Sequence, residues 1–356
     1  MKKISNIKTV AEMAQVSIST VSRVLNHSAD VSDELKERVF KAIKETEYSV
    51  NPIASTLKSA KRNQIAIVLP SLRQTYYTDI IKGASDYCYE RQITPIILET
   101  GGDAKKEERI IENLEKQWVD GIIFIPSSNA GTPGYIEFID SLRFLKKQEN
   151  RIPVVLAECS GLGGGLDCVR VDYEEAFYKM TYHLLEIGRK RLAYLSCPAC
   201  SPLYDICQSA CRKAVRDYGC GEDGLLMEHS EYTILGGYEA MQRVVERDPS
   251  IDGVVCTNDQ VAAGALHACK ESRSVNADKV AIVGFGGVAM SIITTPSITT
   301  MIAPRYNIGS EATRILFERI NGSDKDPEEL ILATHMAIRA STLRTAFKNI
   351  DTMFAE

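Results

Sequence analysis

From Ile65 to Val283 the chain repeats one alternation, a short apolar run followed by an amphipathic stretch. Ile65–Leu69, Thr94–Leu98, Gly121–Ile125 and Val154–Leu156 read as strands, and Asp79–Arg91, Lys105–Gln117 and Gly134–Lys147 as the helices near them. A strand that is apolar along its whole length has both faces covered, so this pattern predicts a parallel sheet with helices on either side. The alternation restarts at Cys168–Val171. Helices then read over Glu174–Ile187, Tyr204–Tyr218, Leu235–Glu246 and Gln260–Glu271, among strands Leu192–Ser196, Leu225–Glu228, Gly253–Cys256 and Val280–Val283. A length of 356 residues suffices for two such half-bodies and a further small domain.

The first sixty residues follow another rule. Val10, Met13 and Ala14 set apolar groups at i, i+3 and i+4, the stripe of a short amphipathic helix. Gln15-Val16 break it, and Ser17 is suited to cap a second helix by accepting from a free backbone N–H. Val21, Val24 and Leu25 of that helix turn inward, which leaves Ile18, Ser19, Ser22, Arg23 and Asn26 on or near its outer side. Two short helices at an angle, the second with a small, polar, partly cationic face, suit a DNA major groove. Charge points the same way. Residues 1–63 carry 11 Lys and Arg against 7 Asp and Glu, and the rest of the chain 31 against 40. A basic module on an acidic body fits a DNA reader joined to a regulatory domain.

The pattern continues through Val31-Ser32-Asp33-Glu34, which reads as the start of a third helix, to Tyr48-Ser49-Val50-Asn51-Pro52-Ile53-Ala54-Ser55-Thr56-Leu57. With these residues the stretch resembles the headpiece of the LacI/GalR repressor family, its last run being similar to the family's hinge helix. The remainder resembles the family's effector-binding core, so the likeness spans essentially the whole chain. It implies an α/β protein with an N-terminal helix-turn-helix DNA-binding headpiece (1–50) and a hinge helix and linker (51–63). A two-lobed periplasmic-binding-protein-like core of doubly wound parallel sheets would follow. Its N-terminal lobe would take 64–165 with 303–323, its C-terminal lobe 166–302 with 324–356, and the chain would cross between them three times.

The resemblance also implies roles. Ile18, Ser19 and Arg23 would read base edges: Ile18 against a thymine methyl, Arg23 with both donors on guanine O6 and N7. Ser17, Thr20, Ser22 and Asn26 would hold phosphates, which set register without reading sequence. Leu57 would wedge into the minor groove at the operator centre, with Asn51 capping the hinge helix and Ala54 packing on its twin in a homodimer. Ile53–Leu57 is too short to be a stable helix alone, so it should fold only on DNA or in a tightly apposed dimer.

For the effector, Tyr76 or Tyr77 would stack on a sugar or base. Glu158, Tyr232 and the Asn258-Asp259 pair would line the cleft between the lobes. Three positions depart from the family pattern. Cys207 stands where an arginine usually holds the ligand, Gly286 where an acid does, and Ala303 where a glutamine does. The usual grip on a neutral sugar is therefore missing. A larger or differently charged ligand, a carbohydrate derivative, or no ligand stays open.

Cys197, Cys200, Cys207, Cys211 and Cys220 are closely spaced, and Cys207 and Cys211 share a helix face. Such spacings permit a metal site or a redox pair. Free cysteine is nonetheless a frequent small core residue, so no metal and no cofactor is expected. No apolar run reaches membrane-spanning length, so no membrane partner is expected. Met1-Lys2-Lys3-Ile4-Ser5-Asn6 lacks the apolar segment of a secretory signal, which points to the cytoplasm. There is no Gly-x-x-x-x-Gly-Lys-Ser/Thr loop and no Gly-x-Ser-x-Gly, and Gly163-Gly164-Gly165 has no following helix signature, so an enzyme is not expected. A sugar-binding transport component is the alternative, opposed by the headpiece and the missing signal. The expectation is a dimeric transcriptional regulator, most simply a repressor, that binds double-stranded operator DNA under control of a small-molecule effector.

Overall fold

The computed structural model describes residues 6–25, 31–46, 62–116, 119–128, 133–147, 150–159, 165–221 and 225–343. Asn26, Asn51, Ala54 and Leu57 lie outside the described residues. The chain divides into two compact units, Met1–Arg62 and Asn63–Glu356.

In the first unit α1 (Ile7–Ala14), α2 (Ile18–Leu25) and α3 (Asp33–Thr46) close around Val10, Ala14, Val21, Val24, Val39 and Ala42. Asn6 caps α1 by accepting from the Thr9 N–H at 3.0 Å. Gln15, at φ 51°, turns the chain out of that helix. Ser17 Oγ accepts from the Thr20 N–H at 3.1 Å and so starts α2 as its sequence position implied. Arg38 ties α3 to the end of α1 through the Ala14 carbonyl at 2.7 Å. One residue of the expected stripe is corrected. Met13 is 49 % exposed and Ala11 is buried instead. At 100° per residue the buried face of Val10, Ala11 and Ala14 is centred well away from position 13.

The second unit holds two six-stranded sheets. In chain order its elements are β1 (Gln64–Leu69), α4 (Tyr76–Glu90), β2 (Thr94–Glu99), α5 (Ala104–Lys116), β3 (Gly121–Phe124) and α6 (Tyr135–Ser141). Next come β4 (Lys146–Lys147), β5 (Asn150–Arg151), β6 (Val154–Ala157), β7 (Asp167–Val171), α7 (Tyr173–Glu186), β8 (Leu192–Ser196) and α8 (Tyr204–Asp217). Then follow β9 (Leu225–His229), α9 (Ile234–Arg247), β10 (Gly253–Cys256), α10 (Asp259–Glu271), β11 (Ala281–Gly286) and α11 (Met290–Ile293). The last are β12 (Thr299–Ile302), α12 (Arg305–Ile320), β13 (Glu329–Leu332) and β14 (His335–Ala337).

The first sheet runs β13-β7-β6-β3-β1-β2, all parallel. The second runs β14-β12-β11-β10-β8-β9 and is parallel except for its edge strand β14. β1, β3 and β8 are buried along nearly their whole length, as continuous apolar runs require.

Two sequence expectations are corrected by the pairing. The sequence resemblance ends the N-terminal lobe at 165 and begins the C-terminal lobe at 166, yet Asp167–Val171 pairs with β6 in the first sheet. Residues 324–356 were given to the second lobe, yet Glu329–Leu332 pairs with β7. An apolar run announces a strand but not the sheet that it joins. β13 also alternates exposed and half-buried residues, so it never showed the apolar run of an interior strand. The three crossings therefore fall between β7 and α7, between β12 and α12, and between β13 and β14. The helix expected over Gly134–Lys147 is shorter. Tyr135, Ile139 and Leu142 complete its buried face, a single 3-10 turn follows, and Lys146–Lys147 pairs antiparallel with Asn150–Arg151.

One long-range contact fixes the first lobe. α12, far along the chain, lies directly on α4, and the two backbones meet at Gly83 and Gly309. A Cβ on Gly309 would stand 1.9 Å from the Ile80 carbonyl oxygen, and one on Gly83 2.0 Å from that of Tyr306. α9 and α10 approach similarly in the second lobe, through Gly237 and Gly264.

Candidate functional site

Two surfaces invite a ligand, one on each unit. On the first, α2 turns Val21 and Val24 into the core and leaves Ser17, Ile18, Ser19 and Arg23 exposed, with Thr20 and Ser22 half-buried. An isoleucine exposed to 39 % beside a free guanidinium and small hydroxyls is a poor packing surface but a good base-edge reader. Ser17 Oγ is within 2.6 Å of Ser19 Oγ and 2.8 Å of Thr20 Oγ1, so these hydroxyls share one short network at the start of the helix. Backbone N–H groups and hydroxyls at a helix start suit a phosphate.

On the second unit a cavity of about 650 Å³ opens between the two sheets. Pro70-Ser71 after β1 and Ile125-Pro126-Ser127 after β3 form one wall, with Pro198 after β8 and Thr257-Asn258 after β10 opposite. In each sheet these loops leave strands that neighbour one another where the strand order reverses, the place where open α/β sheets bind ligands.

Aromatic rings dominate the interior. Tyr76 and Tyr77 open α4, Tyr173 and Phe177 lie on α7, Phe285 lies on β11, and Tyr232 precedes α9. Tyr76 stacks on Phe285 across the two lobes with ring centroids 6.1 Å apart. Phe285 also meets Tyr173 at 5.4 Å and Phe177 at 5.5 Å. Glu158, after β6, accepts from the Tyr76 hydroxyl at 2.6 Å and from the Tyr173 hydroxyl, both on Oε2. Burial pushes its carboxyl above the usual range, and the two tyrosine hydroxyls partly offset that by solvating the charge. Tyr76 and Tyr173 are driven well above their ordinary value, first by burial and then by the Glu158 charge, so they remain donors.

Of the residues singled out in the sequence, Tyr76, Tyr77, Glu158, Cys207, Tyr232 and Asn258 line this cavity. Asn258 has a structural task as well. Its Oδ1 caps α10 by accepting from the Val261 N–H at 2.8 Å. Asp259 does not line the cavity, and its expected place in the cleft is corrected. It is buried behind the wall, where it accepts from the Thr300 hydroxyl at 2.6 Å and the Val288 N–H at 2.8 Å. Burial pushes its carboxyl up to about 7. Being the first residue of α10, its side chain points back toward β12 rather than out between the lobes.

Tyr173, Phe177, Phe285 and Arg305 were missed. Phe285 stands inside Gly284-Phe285-Gly286-Gly287, where the departure from the family pattern is the absent acid. The structure supplies the reason for that absence. A Cβ on Gly286 would lie 3.1 Å from Tyr76 Cδ2, and the residue holds φ 119°. A side chain at 286 would press on the Tyr76 ring and hold a backbone conformation that favours glycine. Arg305, at the start of α12, donates to Asp79 Oδ2 at 2.7 and 2.9 Å and to the Gly286 carbonyl, so one side chain ties the lobes together beside the cavity.

Cys197, Cys207 and Cys211 are buried, Cys200 is exposed and Cys220 half-buried. Burial pushes the Cys211 thiol up to about 12 and Cys207 well above its ordinary value, which makes both poor thiolates. Among the described residues no group of three or more His, Cys, Asp or Glu side chains is placed to hold a metal ion. No helix among the described residues is long and apolar enough to cross a membrane.

A three-helix unit whose second helix turns small hydroxyls and an arginine outward, followed in the chain by a two-lobed core with a cavity at its strand ends, is the arrangement of a ligand-binding, DNA-binding regulator. Residues 6–51 match the description "Bacterial regulatory proteins, lacI family" and residues 62–340 match "Periplasmic binding proteins and sugar binding domain of LacI family". The chain belongs to the LacI family and is a DNA-binding transcriptional regulator. It is similar to the HTH-type transcriptional regulator RegA of Clostridium saccharobutylicum, at 30 % identity over 95 % of this chain and 99 % of that one. A solved complex of the transcriptional regulator CelR with cellobiose is similar at 26 % identity, with a TM-score of 0.70 over 95 % of this chain and 99 % of that one. The lac repressor dimer bound to operator shares the fold, at 20 % identity and a TM-score of 0.84 over 96 % of this chain and all of that one.

Proposed function

We propose that the chain acts as a homodimeric repressor whose affinity for a pseudo-palindromic operator is set by a small molecule bound between the lobes. The observation that carries this is the cavity itself, closed by side chains from both lobes: Tyr76 against Phe285, Tyr173 on Glu158, and Arg305 on Gly286. A ligand entering there must bear on contacts that set how the lobes meet, and so has the differential affinity for two lobe arrangements that allosteric control requires. About 650 Å³ is room for a ligand of disaccharide size. The complex of CelR with cellobiose supports that scale. In this reading Ile18, Ser19 and Arg23 read bases, Ser17, Thr20, Ser22 and Asn26 hold phosphates, Leu57 wedges into the minor groove, Asn51 caps the hinge helix and Ala54 packs on its twin.

Arg23→Ala tests the reading directly. Loss of a bidentate base contact is expected to weaken operator binding by about 1–3 kcal/mol while sparing binding to random duplex. Fluorescence anisotropy on both duplexes at one salt concentration measures it. Equal losses on the two would make Arg23 a phosphate contact. Leu57→Ala is expected to leave the core's unfolding midpoint unchanged and to reduce operator bending, since a wedge that unstacks a base step is what kinks the duplex. A circular-permutation gel that shows an unchanged bend would reduce the hinge to a tether.

A further inference from the structure

Glu158 is the only carboxylate or cationic group among the described lining residues of the cavity that is buried, at 4 % exposure; Arg73 and Glu231 are exposed. Its two oxygens are unlike. Oε2 takes both tyrosine hydroxyls, whereas Oε1 is buried with no hydrogen-bond partner, although the Val171 N–H is near enough to the carboxylate to favour its charge. Among the described residues Glu158 makes no ion pair. Arg170, whose charge reaches it, is bound to Glu329 at 2.6 Å, and Arg305 is bound to Asp79. The residue also holds φ 55°, a region that a side chain with a Cβ rarely takes, while its N–H is fixed on the Val169 carbonyl at 3.0 Å. The backbone is thus committed to keeping this carboxylate inside. A buried acceptor without a donor, and a buried charge without a counter-charge, are both costly in a ligand-free protein.

The surroundings say what would relieve that cost. Tyr76, Tyr77, Tyr173, Phe177 and Phe285 line the same cavity as the acid, Arg305 already lies 5.9 Å from the Tyr76 ring centroid, and aromatic rings attract a desolvated cation. The arginine that would favour an acidic or polyhydroxylated ligand is replaced by buried Cys207. A neutral hydroxyl would satisfy Oε1 but leave the charge unpaired, whereas an ammonium does both and also meets the rings. The geometry points to an effector that carries a protonated amine, its N–H donors on Glu158 Oε1 and its charge among the aromatic rings. This rests on the reading of the cavity as the effector site.

The test uses the full chain and ligand pairs that differ in amine against hydroxyl: tyramine and tyrosol, D-glucosamine and D-glucose, putrescine and 1,4-butanediol. Each is titrated by calorimetry into wild type, Glu158→Gln and Gln260→Trp, the last narrowing the cavity from its second-lobe wall. At least one amine is expected to bind at least 10-fold more tightly than its hydroxyl twin, and Glu158→Gln to shrink that preference to 2-fold or less. Equal binding within every pair that binds, a preference that survives Glu158→Gln, or no binding by any amine at 10 mM overturns the inference. The first two of these leave the cavity as the effector site. An amine that binds Gln260→Trp as well as wild type is outside the cavity, and that overturns the site reading itself. The wild-type comparison of pairs stands whether or not either variant folds.

Discussion

Gly309→Val is expected to lose at least about 3 kcal/mol of stability, a large share of the roughly 5–15 kcal/mol that holds a typical domain folded. The added side chain meets backbone, not a flexible side chain. The position of its Cβ lies 1.9 Å from the Ile80 carbonyl oxygen and 3.0 Å from the Ala84 nitrogen. Relief requires α12 to move off α4, and those helices together carry Tyr76, Tyr77, Asp79 and Arg305 of the cavity and its latch. The gain in helix propensity on replacing glycine with β-branched valine is less than the roughly 0.5–1 kcal/mol that alanine would give, and is too small to offset a shift of the helix pair. Gly221→Ala is the matched control, because among the described residues nothing lies within 4 Å of its added Cβ, and its φ is outside the left-handed region. It should change stability by no more than about 0.5 kcal/mol. Urea unfolding followed by circular dichroism distinguishes the two. A Gly309→Val midpoint near that of wild type would mean that the helices do not pack this closely.

The second large effect is on pH dependence. Asp259 is pushed up to about 7 by burial, against an ordinary value of 3.8. An acid with a raised value in the folded state holds its proton longer folded than unfolded. Its cost to stability is therefore absent below about pH 4, grows as pH rises, and is complete above about pH 7. A difference of some three units corresponds to about 4 kcal/mol at most. Asp259→Asn cannot ionise, so the fall in stability between pH 4.5 and 7.5 should be smaller than in wild type by a few kcal/mol. Glu107 and Glu158 are raised by burial as well, so part of the slope persists in the variant. Asn keeps an acceptor for Thr300 but turns a donor toward the Val288 N–H, which costs about 1–3 kcal/mol at all pH values and leaves the slope argument intact. Identical slopes in the two proteins, measured by urea unfolding at both pH values, would show that Asp259 is not held charged in a dry site.

Much of this molecule was legible in its residues. The spacing of Val21, Val24 and Leu25, with Ser17 before them, set the recognition helix and its exposed face, because burial of a short helix is decided by position around its own axis. The strands were legible because buried parallel strands are apolar throughout. What was not legible depends on partners distant in sequence. The sheet that Asp167–Val171 joins is set by its register on β6, and the edge strand Glu329–Leu332 has no apolar signature of its own. At the site, Tyr76, Glu158 and Tyr232 line the cavity, whereas Asp259, expected in the cleft as half of the Asn-Asp pair that the resemblance implies, does not. Adjacent residues at a helix start point in different directions, and sequence proximity hid that. Phe285 and Tyr173 carry no site signal in the sequence, because an aromatic residue next to a strand end reads first as core.

The central claim is that this chain recognises a specific duplex sequence through α2, and selection from a random duplex library tests it most directly. The full-length protein is incubated with a library of random 30-base-pair duplexes at 0.15 M salt, and bound sequences are recovered and counted. The expected result is one enriched pseudo-palindrome whose half-sites share a guanine that loses its preference in Arg23→Ala. Recovery of sequences no different from the input library would contradict it.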